Sequence, residues 1–265
     1  MNLNKTELER IILDNTNKLI KSKIEAKEFD KKTKENKTKI HFLPIEYRNL
    51  ISYLQSLNIS FGNYIEKLIR DILKNDQKYN LSNLSGKKID SLISKEENDA
   101  IEDYMKNKRD FNLNFFKNVK YKDLTSNKKI KRKDIDLLLY DNNENYYLFE
   151  IKFLDNHDTG KHENIYKKLF ETTFSLRRYF EKNKISYKDI NPILYFFNDK
   201  KRWSDDYLKE NKNLFRGENF WKKFSNISFS DLKSIFSNIS DNEIIKNNLK
   251  REINNILEIY NINFN

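Results

Sequence analysis

The sequence predicts a mixed α/β chain, and three observations carry that prediction. DLLLYD (136–141) and YYLFEIKF (146–153) read as two strands, and the DNNEN between them supplies hairpin-turn residues. PILYFF (192–197) is a short, nearly all-apolar run of the kind a buried strand needs. Around these lie longer segments with apolar residues at helical spacing. Helices, a hairpin, a helix, a strand and further helices make a layered α/β architecture.

Taken in order, residues 4–27 predict an amphipathic helix, with Leu8, Ile11, Ile12, Leu19, Ile20 and Ile24 on one side. The charged run 28–39 predicts a linker or solvated loop. Pro44 opens a second helical region through Leu50, Ile51, Leu54, Leu57, Phe61, Ile65, Leu68, Ile69 and Ile72. Gly62 marks either a break between two helices or a close contact. Residues 77–93, rich in Asn, Ser, Lys and Gly, predict loop. Residues 95–108 are acidic at the start and basic at the end, which suits a short helix and its dipole. Residues 162–182 predict a helix, and Trp203 onward predicts several short ones. Ile244, Ile245, Leu249, Ile253, Ile256 and Leu257 form a C-terminal apolar stripe. The organisation expected is an N-terminal helix and linker (1–44), a core (45–237) and a C-terminal helix (238–265), together one compact domain.

Composition narrows the chemistry. Lys plus Arg is 51 and Asp plus Glu is 40 in 265 residues, so the formal charge is 51 − 40 = +11 and a polyanionic partner is indicated. The Lys, Asn and Ile excess is also what an AT-rich genome gives, which weakens any argument from lysine count alone. Nineteen Phe and fifteen Tyr suffice for a core. The absence of cysteine excludes disulfides, cysteine–zinc sites and thiol nucleophiles. Four glycines, far apart at 62, 86, 160 and 217, cannot write a phosphate-cradling loop. The N-terminal residues carry acids early and lack the apolar run of a signal peptide, and no 18-residue apolar stretch offers a membrane span. A soluble protein of the cytoplasm is the expectation.

The sharpest chemical signal is Asp136 followed by Glu150 and Lys152. Residues two apart in a strand face one side, so Glu150 and Lys152 point together, and a hairpin brings Asp136 beside them. Two carboxylates on adjacent strands make a hard oxygen site for magnesium, and an ammonium there can position a water. The plain alternative is a solvated ion pair on an exposed sheet face, since E-x-K and D-x-K triplets recur at 25–27, 30–32 and 199–201. Only the 150–152 triplet, however, puts two charges into an otherwise apolar strand after an acid-headed one. On the second helical region Glu66 borders the apolar face, in register with Gly62, Ile69 and Leu73. It reads either as a further metal ligand or as a boundary residue paired with Arg70.

With an acid, a short spacer and then (D/E)-x-K on the next strand, KRKDIDLLLYDNNENYYLFEIKF (131–153) resembles the catalytic core of type II restriction endonucleases of the PD-(D/E)xK superfamily. SLNISFGNYIEKL (56–68) resembles their S-x-G-x-x-x-E helix, and the segments 153–180, 197–203 and 215–224 are also similar to such enzymes, of the TdeIII-like or HinfI-like groups. The resemblance spans roughly residues 45 to 237. It implies a restriction-endonuclease-like fold, a central mixed sheet flanked by helices, here with helical N- and C-terminal additions. It implies that Asp136 and Glu150 bind Mg2+, that the Ile151 carbonyl is a further ligand, that Lys152 assists the attacking water and that Glu66 contributes to the metal site. Family members often have proline before the first acid. Here Ile135 stands in that place with Asp134 before it, so Asp134 is the alternative ligand, two residues away and on the same strand face.

The implied activity is magnesium-dependent hydrolysis of double-stranded DNA at specific sites, leaving 5′-phosphate ends. The implied setting is a homodimer in a restriction–modification system with a cognate DNA methyltransferase. Rival readings are a repair, recombination or RNA-processing nuclease of the same fold, and a DNA-binding protein without catalysis. Lys128, Lys129, Lys131, Arg132 and Lys133 form a basic run that either grips phosphates or is a solvated loop. His157, Lys161 and His162 leave the active strand as a cluster that looks like a metal site but fits DNA or phosphate contact better. Arg177 and Arg178 on the next helix are further phosphate or base candidates, whereas Trp203 and Trp221 read as core.

Overall fold

The computed structural model describes residues 3–24, 45–91, 93–107, 131–154, 159–199 and 207–259. In chain order its elements begin with α1 (Lys5–Ile24), α2 (Ile45–Asp76), β1 (Asn80–Leu81), β2 (Lys88–Ser91), α3 (Lys95–Lys106), β3 (Lys131–Asp134) and β4 (Leu137–Tyr140). They continue with β5 (Asn145–Lys152), α4 (Thr159–Lys182), β6 (Asp189–Phe196), β7 (Leu214–Arg216), α5 (Gly217–Phe224), α6 (Phe229–Asp241) and α7 (Glu243–Ile259). The chain divides into a helical unit, Leu3–Leu68 with Ser230–Asn265, and a sheet unit, Ile69–Phe229. The division runs through α2 and not through the polar segment before it, which lies outside the described residues.

In the helical unit, α1 starts where Asn4 caps it, its Oδ1 accepting the Glu7 N–H at 2.9 Å. Leu8, Ile12, Ile65, Leu68, Leu232 and Ile235 are buried there. The Tyr64 hydroxyl lies 3.0 Å from Thr16 Oγ1, and burial, opposed by that hydrogen bond, pushes its pKa up to about 12. Gly62 neither breaks α2 nor makes a close contact: the helix runs through it, and a Cβ there would meet nothing within 4 Å. The expected apolar stripe of α2 is only partly used, because Ile51 and Leu54 are 42% and 49% exposed. From Phe229 onward the chain forms two helices, α6 and α7, among the several short ones expected there. Asn242 separates them, its Oδ1 accepting the N–H groups of Ile244 and Ile245 at 3.0 and 3.2 Å and so capping α7. Of the expected stripe on α7, Ile245 is buried while Ile244 is 69% exposed.

The sheet unit holds a five-stranded mixed sheet in the order β1-β4-β5-β6-β7. The first two pairings are antiparallel and the last two parallel. The β4–β5 hairpin turns because Asp141 Oδ1 accepts the N–H groups of Asn143 and Asn145 at 2.9 and 3.0 Å. Alternation along β5 then assigns two faces. Leu148 joins Leu138, Leu194 and Phe196 in the core formed with Tyr166, Phe170, Phe174 and Phe180 of α4. Phe149 faces the other way, edge-on to Phe220 and Phe224 of α5. On that second face Trp221 Nε1 donates to the Tyr195 hydroxyl at 3.0 Å, so the expectation that Trp221 is core holds; Trp203 lies outside the described residues. Pro192 is tolerated inside β6 because β7 pairs only with residues 194–196, leaving that side of the strand unpaired at 192.

Four short strands were not expected. Residues 77–93 contain β1 and β2 where loop was predicted, and the basic run continues into β3. β2 and β3 form an antiparallel ribbon in which only Ile89 is a buried apolar residue, so neither strand shows apolar alternation. Charge pairing across the ribbon takes its place, with Lys88 beside Asp134 at 3.6 Å and Arg132 beside Asp90 at 3.8 Å. β7 is three buried residues at the sheet edge, too short to produce a period.

Candidate active site

The site forms at one end of β4 and β5. Leu137 pairs with Phe149, so the next position across the hairpin sets Asp136 opposite Glu150. Both carboxylates are buried, at 5% and 3% exposure. Asp136 Oδ2 accepts the Ile151 N–H at 2.9 Å, which fixes that carboxylate against the neighbouring strand. Lys152 Nζ donates to Glu150 Oε1 at 2.6 Å and to the Ile151 carbonyl at 3.0 Å. Asp136, Glu150, Ile151 and Lys152 are therefore brought together. Asp134 is not among them: it ends β3, its side chain is 59% exposed and its partner is Lys88. Glu66 is half-buried on α2 and belongs to the helical unit.

The backbone at Asp136 is held from two sides. Arg70 Nη1, in the part of α2 that belongs to the sheet unit, donates to the Asp136 carbonyl at 2.6 Å. Gly86, with φ +73°, donates its N–H to the Ile135 carbonyl at 2.7 Å, and a Cβ there would lie 3.1 Å from the Arg70 guanidinium. Glycine thus leaves room for the arginine that supports the acid. Sequence reasoning offered Arg70 only as a partner for Glu66 and did not find this contact.

It also missed Lys168. From α4, Lys168 Nζ donates to Glu150 Oε1 at 2.7 Å, so two ammonium groups converge on one buried oxygen. A signal was present in the helix pattern. Lys168, Glu171, Ser175 and Arg178 recur at i, i+3, i+7 and i+10, a polar stripe on a helix whose other side is apolar. Each member reaches another element. Glu171 accepts from Lys133, Ser175 donates to Ser91 at 3.4 Å, and Arg178 Nη2 donates to Glu97 at 2.7 Å.

The expected DNA-contacting residues separate accordingly. Arg178 is committed to Glu97, which is fully buried and also closes the capping box of α3 with Ser94. Lys133 is paired with Glu171, and Arg177 with Glu181 one turn on, at 3.1 Å. His162 is buried against Tyr166. Arg132, with its side chain 71% exposed, and Lys161 stand at the surface. The side chain of Lys131 and all of Lys128, Lys129 and His157 lie outside the described residues.

The donor set fits a hard divalent cation: two buried carboxylates and a backbone carbonyl supply oxygen only. The Lys152 ammonium already sits between Glu150 Oε1 and the Ile151 carbonyl, so those oxygens face a position where positive charge is stabilised. Among the described residues no group of three or more His, Asp or Glu side chains forms a ready metal cluster, and no helix is long and apolar enough to cross a membrane.

Comparison with known proteins places the chain in a family. The family model described as type II restriction endonuclease, HinfI, matches residues 4–240. The type II restriction enzyme HinfI of Haemophilus influenzae is 36% identical over 239 residues, covering 85% of this chain and 88% of the relative. No solved structure matches the chain.

Proposed function

The chain belongs to the HinfI family of type II restriction endonucleases, and from that premise we propose that Asp136, Glu150 and Lys152 hydrolyse double-stranded DNA at specific sites with the help of magnesium. One observation carries the site assignment: two buried acids face each other across a hairpin, with a lysine bonded beside them on the same strand face.

Asp136, Glu150 and the Ile151 carbonyl would hold the magnesium ion, and Glu66 enters the proposal from the resemblance of its helix motif alone. Magnesium, when bound, supplies charge stabilisation at the phosphate and the leaving 3′ oxygen. The protein supplies position. The Ile151 N–H fixes Oδ2 of Asp136 and so holds that carboxylate beside β5. Lys152 has three N–H donors, and Glu150 Oε1 and the Ile151 carbonyl take two of them. The third is available to orient the attacking water in line with the scissile bond. Exposed Arg132 and Lys161 are proposed phosphate contacts, and Arg178, Lys133 and Arg177 serve first as internal ion-pair partners. By family habit the enzyme acts as a homodimer, leaves 5′-phosphates and works beside a DNA methyltransferase.

The test is a plasmid cleavage panel with magnesium or EDTA, using wild type and Lys152→Ala. Discrete magnesium-dependent fragments that disappear in the variant support the proposal. A fully active variant would sink the site assignment, and cleavage without discrete bands would favour a structure-directed nuclease.

A further inference from the structure

We propose that Lys168 is a positioning residue of this site: its ammonium balances Glu150 in the metal-free protein and gives up Oε1 when a divalent cation arrives. The inference rests on the reading of Glu150 as a metal ligand. Glu150 is 3% exposed and opposes the equally buried Asp136, so two negative charges share a poorly hydrated corner. Carboxylates so placed repel each other unless positive charge is close. Lys152 at 2.6 Å and Lys168 at 2.7 Å from Glu150 Oε1 provide two such charges, matching what one divalent ion would bring.

The two lysines are not equivalent. Lys152 is on β5 itself and is also bonded to the Ile151 carbonyl, so it stays within the strand's own frame. Lys168 arrives from α4 on a long stem with its side chain 34% exposed, and it can swing outward while its backbone stays in the helix. The β5 face that carries Glu150 is the one α4 covers, and the stripe Lys168, Glu171, Ser175, Arg178 is the face of α4 that bonds to other elements. Lys168 is thus directed at Glu150 by the helix register. A cation and an ammonium compete for the same oxygen, so removing the ammonium tightens cation binding and removes a counter-charge from the cation-free fold.

Calcium titration calorimetry on DNA-free protein reads the first effect, with calcium as the oxygen-seeking probe. Lys168→Met is expected to bind calcium about 5- to 10-fold more tightly than wild type, Lys168→Arg to return toward wild type, and Glu150→Gln to lose binding. Weaker or unchanged binding in Lys168→Met overturns the proposal, since a merely structural lysine would loosen the site. If wild type binds no calcium, the reading of Glu150 as a ligand fails, and melting temperatures in EDTA then decide the pairing on their own. Lys168→Met, Glu150→Gln and the double variant form a cycle. Non-additive shifts support the Lys168–Glu150 pair, and additive shifts overturn it.

Discussion

The five-stranded sheet and the two-stranded ribbon of the sheet unit both set an acid against an ammonium, yet the two pairs live in different media. Glu150 and Lys152 are 2.6 Å apart, with side-chain exposures of 3% and 24%. Asp134 and Lys88 are 3.6 Å apart, with exposures of 59% and 63%. The residue types are the same chemistry, and burial separates them. In the ribbon, water hydrates each charge and the pair adds little. At the sheet end, desolvation makes each charge depend on its neighbours, so a site can be built there. The contrast also separates Asp134 from Asp136. They are two residues apart in sequence, but one caps an exposed ribbon and the other is locked to the Ile151 N–H.

Breaking the buried end should have the largest effect. Glu150→Ala is expected to lower the rate of plasmid cleavage by at least about 100-fold, while gel-shift binding in EDTA persists. Activity near wild type would mean that the buried pair is structural. Next comes the ion pair that anchors α4, Arg178 with the fully buried Glu97. Arg178→Met should cost about 3–5 kcal/mol in urea unfolding, because it strands a buried carboxylate. The same variant should leave the salt dependence of DNA binding unchanged if Arg178 is used internally, and a shallower salt slope would return it to the DNA surface.

A smaller effect lies at the far end of the hairpin, at Asp141. Burial pushes the Asp141 carboxyl up, but hydrogen bonds from the Asn145 side chain and backbone, the Asn143 N–H and Tyr147 outweigh it and hold the pKa below the usual range. A depressed folded-state value means stability that is present above the unfolded pKa of about 3.9 and lost as pH falls through the folded value. Asp141→Asn should therefore lower the melting temperature near neutral pH, with the difference shrinking as the pH is taken below about 4. A difference independent of pH would show that turn geometry, not charge, is at work. The smallest effect belongs to the ribbon, where Lys88→Ala should change unfolding free energy by no more than about 0.5 kcal/mol. A larger loss would show that the ribbon's charges are coupled to the buried site after all.

What could be read from the residues follows the reach of local rules. The hairpin was legible because DLLLYD, a turn rich in Asn and Asp, and YYLFEIKF are contiguous, and strand alternation alone puts Glu150 and Lys152 on one face. The helix at 159–182 and the buried strand around 192–196 were legible for the same reason. The ribbon was hidden, since polar strands paired by charge carry no apolar period, and β7 was too short to show one. The apolar stripe that begins at Ile244 marked α7, and the cap at Asn242 explains where that helix starts.

The sequence by itself determined the α/β class and the strand carrying Glu150 and Lys152, and it narrowed the preceding acid to Asp134 or Asp136, all through contacts between near neighbours. Only the tertiary structure decided that Asp136 and not Asp134 lies beside that strand. It likewise decided that Arg70 supports the Asp136 backbone across 66 residues and that Arg178 is tied to Glu97 across 81. Lys168, 18 residues beyond Glu150, joined the site by the same route. The physical reason is that a charged side chain takes its role from the group placed opposite it. For these residues the opposite group is set by how α4, α2 and the sheet pack, and spacing along the chain does not record it.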